Sequence, residues 1–182
     1  MLDPLIIKVI SIGLGLMFIL AGYHKLADGP AFRIALLEYQ VLPEILIVPA
    51  SWAIPFAELM LGSTWVFGWY ATGMTAYASA VLLGLYAAAI VFNIARGRLH
   101  FDCGCGFGGK RNNEQYLSGG LVARNVVLIA AALVTALPTP VRSLGLGDYA
   151  TLVAALLAMA LIFGATNQLL ANRAAINTWR KH

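Results

Sequence analysis

The chain has 182 residues, 60% hydrophobic and 11% charged, a net charge of +4 at pH 7 and a mean hydropathy of +0.81. A soluble domain cannot cover that much apolar surface, so a water-soluble globular class is excluded. At about 20 apolar residues per span, the length suits several spans with short connections, forming one membrane-embedded domain over residues 1–182.

Residues 5–22 make the first apolar stretch, interrupted by Lys8, whose long side chain can snorkel to the near interface. It reads as a true span and not a cleaved signal peptide. Asp3 precedes it, no small-x-small site follows it, and Tyr23-His24-Lys25-Leu26 continues its register. Residues 28–43 mix Arg33 and Glu38 with Phe32, Leu36, Leu37 and Tyr39, the pattern of a short helix lying at the interface. A second span is expected over 45–69, bent by Pro49 and Pro55. A third, over 71–95, is rich in alanine and glycine and carries Tyr77 and Tyr86. A fourth starts near 117 or 121 and is stopped by Pro138-Thr139-Pro140; a fifth runs over 149–170. The expected fold is an all-α integral membrane protein, a compact bundle of about five transmembrane helices, with four plus a half-inserted segment as the alternative.

Positive charge is distributed unevenly over these connections. With five spans, one side holds Lys25, Arg33, Arg96, Arg98, Lys110, Arg111, Arg173, Arg180 and Lys181, with Arg124 close by; the other has little beyond Lys8 and Arg142. Because lysine and arginine accumulate in short cytoplasmic connections, this places the segment 98–118 at the cytoplasmic face of the membrane. It also explains the basic balance without nucleic acid.

That segment holds both cysteines of the chain, in Asp102-Cys103-Gly104-Cys105-Gly106-Phe107. Bridged α-carbons must lie within roughly 7 Å, which cysteines at i and i+2 reach only through an unusual turn, and Gly104 supplies the freedom for it. So small a ring closes almost no chain, so as a staple the bridge has little value. Strained or exposed disulfides tend toward oxidising potentials, which suits exchange. Arg96, Arg98, Lys110 and Arg111 favour the thiolate; Asp102 disfavours it but can accept or deliver a proton during exchange. His100 can do the same or simply sit at the interface. A competing reading makes His100, Cys103 and Cys105 a zinc or copper(I) site, with Asp102 or the distant His24 as fourth ligand. Gly104, Gly106, Gly108 and Gly109 suggest a phosphate cradle only weakly, since no Gly-Lys-Ser/Thr ending follows.

Glu58 falls near the middle of the second span, where a carboxylate is costly and needs a partner; Arg124 is the natural candidate. The pair is either part of a proton path to the thiols or a structural ion pair. Asn125 reads as an interhelical hydrogen-bond donor, His24 with Lys25 as an interface anchor, and Trp52, Trp65, Trp69 and Trp179 as interface aromatics. The candidate catalytic set is Cys103, Cys105, Asp102, Glu58 and Arg124.

Several features together resemble the MauE/DoxX group of methylamine-utilisation membrane proteins. They are Ala21-Gly22-Tyr23-His24-Lys25-Leu26, Leu42-Pro43, Pro55-Phe56-Ala57-Glu58, the Asp102-Cys103-Gly104-Cys105-Gly106-Phe107 segment, and Arg124-Asn125. The Asp-Cys-Gly-Cys element discriminates; the rest alone would be weak. The resemblance implies maturation of the methylamine dehydrogenase small subunit, a periplasmic protein dense in disulfides, together with a thioredoxin-like MauD-type partner. Cys103 and Cys105 would then exchange with that partner's cysteines. A periplasmic role stands in tension with the cytoplasmic placement by charge, unless the segment folds back between kinked helices. Three classes remain: a thiol-disulfide oxidoreductase, a non-catalytic assembly or export scaffold, and a metal-binding transporter. No cofactor is expected; quinone coupling is conceivable by analogy with other membrane thiol oxidases, but no quinone motif is visible.

Overall fold

A computed structural model describes residues 3–68, 73–97, 119–138 and 145–179, the side chains of 167 and 170–179 excepted. The described residues form α1 (Pro4–Ala27), α2 (Gly29–Tyr39), α3 (Glu44–Phe67), α4 (Met74–Ala95), α5 (Gly119–Val134) and α6 (Leu146–Trp179), with no strand among them. Four helices are long and apolar enough to cross a membrane: α1, α3, α4 and the Leu146–Thr166 part of α6. The chain is an all-α multi-pass membrane protein. α5 has 16 residues, about 24 Å at 1.5 Å per residue, which is short of a bilayer core of about 30 Å. It therefore occupies the fourth place of the expected bundle as its shortest member.

Local chemistry explains the boundaries. Asp3 caps α1 by accepting from Leu5 N at 2.8 Å, with Pro4 in the first turn where its missing N–H costs nothing. Asp28 caps α2 in the same way, accepting from Ala31 N at 3.2 Å. The 11-residue α2 is too short to span, as expected of the mixed segment 28–43. α3 ends at Gly68 in the left-handed region, φ 73°, a conformation open to glycine.

The bundle is built on α1 packed antiparallel against α3. Glycines allow the two backbones to approach: a Cβ at Gly62 would stand 2.8 Å from the Gly15 carbonyl oxygen, and one at Gly22 2.9 Å from the Pro55 carbonyl oxygen. Small residues at helix interfaces are the usual device in lipid, where no hydrophobic force drives helices together. α4 packs antiparallel on α5, and Leu14, Phe18, Trp65, Ala76, Leu83 and Ala132 form the principal core among α1, α3, α4 and α5. α6 leans on α1, with Lys8 5.9 Å from the Tyr149 ring centroid, and leaves most of its apolar surface exposed, as a lipid-facing helix does.

Trp65 departs from the reading as an interface aromatic. It is 2% exposed and donates through Nε1 to Ser79 Oγ at 2.9 Å, joining α3 to α4 inside the core. Trp52 is half-exposed and stacks on Phe56, as an interface aromatic can; Trp69 and the Trp179 side chain lie outside the described residues.

Candidate functional site

Glu58 is 1% exposed, held near the middle of α3, and its Oε1 accepts from two side chains. One is Lys25 of α1, which forms an ion pair with it and is itself only 6% exposed. The other is the hydroxyl of Tyr86 of α4, at 2.7 Å. Lys25 Nζ also lies 3.5 Å from the Tyr86 hydroxyl, with the Tyr86 and Phe32 ring centroids at 4.9 and 5.5 Å.

Helix direction brings these three together. A helical side chain leans toward its own N-terminus, so Lys25 reaches back to the level of Gly22, and Glu58 of the antiparallel α3 leans back toward Pro55. Gly22 and Pro55 face each other across the seam, and the missing side chain of Gly22 leaves room there. Tyr86 follows from the α3–α4 register set by Trp65 and Ser79: Glu58 and Tyr86 each lie seven residues, two turns, from that bonded pair. Lys25 thus turns inward, where the sequence suggested an anchor at the interface.

The ion pair borders a cavity of about 310 Å³. α2 supplies one wall through Phe32, Ala35, Leu36 and Tyr39; besides Tyr39, the lining residues with polar groups are Lys25, Glu58, Tyr86, Arg124 and Asn125. Lys25 forms the ion pair with Glu58 for which the sequence named Arg124; Arg124 lines the same cavity, and its guanidinium stands 5.8 Å from the Phe163 ring centroid. Asn125 is buried in the cavity wall. Lys25 and Arg124 both point into the bundle and so weigh less in the charge asymmetry than a count by position gives them.

Two further polar contacts hold the wall in place. Asn93, fully buried, donates through Nδ2 to Tyr39 O at 3.1 Å and to Ala89 O at 3.0 Å, so α4 satisfies a carbonyl at the end of α2. Arg33 donates through Nε to Ser51 Oγ at 3.2 Å, tying α2 to α3. Lys25, Tyr86 and Asn93 were absent from the candidate set.

Asp102, Cys103, Cys105 and His100 lie outside the described residues. The chain between Gly97 and Gly119 that carries them leaves α4 and enters α5 at one end of the bundle, where Ile90 packs on Leu121. Tyr86 is nine residues, roughly 13 Å, inside that end. Among the described residues no three His, Cys, Asp or Glu side chains gather as a metal site.

A family model described as methylamine utilisation protein MauE matches residues 3–138. The chain is 32% identical to a methylamine utilization protein MauE of Paracoccus denitrificans over 140 residues, 77% of this chain and 73% of that one. It is 33% identical over 150 residues to a protein of the same name from Paracoccus versutus, covering 82% and 78% of the two chains. The Methylorubrum extorquens protein of that name is 33% identical over 166 residues, covering 90% and 87%. No solved structure matches the chain.

Proposed function

The chain belongs to the MauE family of methylamine utilisation proteins, and from that premise we propose that it is a membrane thiol-disulfide redox protein supporting maturation of the methylamine dehydrogenase small subunit. The observation that carries this reading is the Asp102-Cys103-Gly104-Cys105 element, which contains both cysteines of the chain. A pair two residues apart has little value as a staple and suits exchange.

In the exchange, a thiolate of one cysteine attacks a disulfide sulfur of a thioredoxin-like partner. The S–S bond of the partner breaks, a mixed disulfide forms, and the partner's second sulfur leaves as a thiolate. The other cysteine then attacks the mixed disulfide, so that Cys103 and Cys105 end oxidised and the partner ends as a dithiol. Run in reverse, the same two steps oxidise the partner. Asp102 serves as a local proton acceptor, and Glu58 with Arg124, which line one cavity, belongs to a proton path to the thiols.

Thiol trapping in intact cells tests this, with an alkylator that cannot cross the inner membrane and with the partner present or deleted. A mixed or intramolecular disulfide whose level depends on the partner supports the reading. Thiols that stay reduced whether or not the partner is present overturn it. Labelling by the external reagent places the pair on the periplasmic side; protection places it on the cytoplasmic side, where the charge distribution puts it.

A further inference from the structure

The thiol chemistry makes no use of the apolar body of the cavity of about 310 Å³, a volume at the small end of the range of roughly 300–1,000 Å³ typical of small-molecule sites. Two features of its lining point to an occupant. Asn125 is only 4% exposed and lines the cavity, yet its side-chain amide makes no hydrogen bond to any described residue. A buried amide in that position is costly until something in the cavity meets it. The lining is also unbalanced in charge: Lys25 and Arg124 are cations, and Glu58 is the single carboxylate among the described lining residues. We infer that this cavity binds a single-tailed anionic amphiphile, a long-chain carboxylate, with its head at Arg124 and Asn125 and its tail along the apolar wall.

The arrangement of the polar groups selects the head. Glu58 is already met by Lys25 and by the Tyr86 hydroxyl, which donates its one proton to the carboxylate. These three close on one another, and the second positive charge of the lining lies with Arg124, next to Asn125 on α5. A guanidinium presents a planar fork of N–H donors that matches the two oxygens of a carboxylate, and the neighbouring Asn125 amide adds donors of its own. The low dielectric of the site strengthens that attraction and penalises a cationic head. Repulsion from Glu58 is offset because Lys25 stands in contact with it. A neutral head such as an alcohol would leave the charge of the lining unbalanced.

The remaining wall selects the tail. Leu128 lies one turn from Arg124 on α5, Leu82 one turn from Tyr86 on α4, and Met17 about two turns from Lys25 on α1. All three lie away from the end of the bundle where Ile90 packs on Leu121. Apolar lining thus continues from the polar groups toward the middle of the bundle, where a hydrocarbon chain fits and an inorganic anion has nothing to offer. So small a volume suits one chain and not the two of a phospholipid. Neither the ligand nor the experiment below depends on the thiol-disulfide reading.

The test uses purified full-length protein, stripped of lipid in a non-ionic detergent, and carboxyl-labelled laurate at alkaline pH, where its head is ionised. Equilibrium dialysis against protein-free micelles isolates binding to the protein. Dodecanol, dodecyltrimethylammonium, acetate and phosphatidylglycerol serve as competitors. The wild type is compared with Arg124→Gln, with Asn125→Leu and with Ala89→Phe, which fills the cavity from α4, each checked by thermal melting for a folded bundle. Saturable laurate binding is expected, with dodecanol and dodecyltrimethylammonium competing at least about tenfold less well than unlabelled laurate. Arg124→Gln should weaken binding at least about tenfold and Asn125→Leu roughly three- to tenfold, matching the loss of charge-assisted and of neutral hydrogen bonds. Ala89→Phe should weaken it at least about tenfold by occupying the place of the tail. Binding that is non-saturable, displaced as well by dodecanol as by laurate, or indifferent to Arg124→Gln or Ala89→Phe in a folded protein overturns the inference. Acetate or phosphatidylglycerol competing as well as laurate overturns the single-tailed ligand. Should Arg124→Gln fail to fold, the preference for laurate over dodecanol decides the same point in the wild type.

Discussion

Lys25 and Glu58, 33 residues apart in the chain, form an ion pair inside the bundle that is almost completely closed to solvent. Ionisable residues within membrane spans are expensive and mark functional positions by default. Here the expense is limited because Tyr86 adds a hydrogen bond to the same carboxylate oxygen and the rings of Phe32 and Tyr86 flank the ammonium.

Breaking this pair from one side leaves an uncompensated buried charge. Lys25→Met or Glu58→Leu alone is expected to cost about 3–5 kcal/mol of stability, whereas the double replacement recovers much of that loss. Thermal melting in detergent of the two single variants and the double variant checks this. A double variant no more stable than the weaker single one would show that the two residues are not coupled.

The α1–α3 seam predicts a contrast between glycines. Gly62→Val places branched carbons where even a Cβ would be 2.7 Å from Ile19 Cγ1 and 2.8 Å from the Gly15 carbonyl oxygen, so the helices must part. Gly84→Ala meets nothing within 4 Å and serves as the control. Expression and size-exclusion profiles should show loss of folded protein for Gly62→Val and a wild-type profile for Gly84→Ala.

The buried indole of Trp65 gives a smaller effect. Ser79→Ala removes the acceptor and leaves Nε1–H facing the core, at a cost of about 1–3 kcal/mol. A fall in melting temperature accompanied by a change in tryptophan fluorescence would register it; an unchanged melt would show that the bond is dispensable.

What the sequence made legible follows from its physics. Run lengths of apolar residues located α1, α3, α4 and α6, and the mixed charges around Arg33 and Glu38 located the short α2. Pro49 and Pro55 fall inside one continuous helix, α3, and the carbonyl of Pro55 faces the seam at Gly22. Lys25 was harder to place, because a lysine at the end of an apolar run looks like one that snorkels outward. The usable signal was the combination of Gly22 three residues earlier with an unaccompanied acid at Glu58: a gap in one helix and a charge in the other. Trp65 misled for a related reason, since tryptophan near a span's end usually lies at the interface, whereas here it packs in the core and donates to Ser79 of the facing helix. Arg124 and Glu58 were brought to one cavity, while the roles of Asp102, Cys103 and Cys105 stand on the sequence, since these residues lie outside the described ones.

Asn93 links the polar core to the mobility of a wall. Its amide holds the carbonyl of Tyr39 at the end of α2, and α2 supplies Phe32, Ala35, Leu36 and Tyr39 to the cavity. Asn93→Leu keeps the branched outline of the side chain but removes the donor to that part-buried carbonyl, a loss of about 1–3 kcal/mol. Because α2 has 11 residues and few anchors besides Arg33–Ser51 and this bond, the loss should fall on α2 locally before it unfolds the bundle. Hydrogen-deuterium exchange followed by mass spectrometry should show faster exchange in peptides covering 29–42, with those covering the middle of α3 unchanged. Uniformly faster exchange across all helices would show instead that Asn93 supports the whole bundle, and unchanged exchange in 29–42 would show that α2 is held by its apolar face alone.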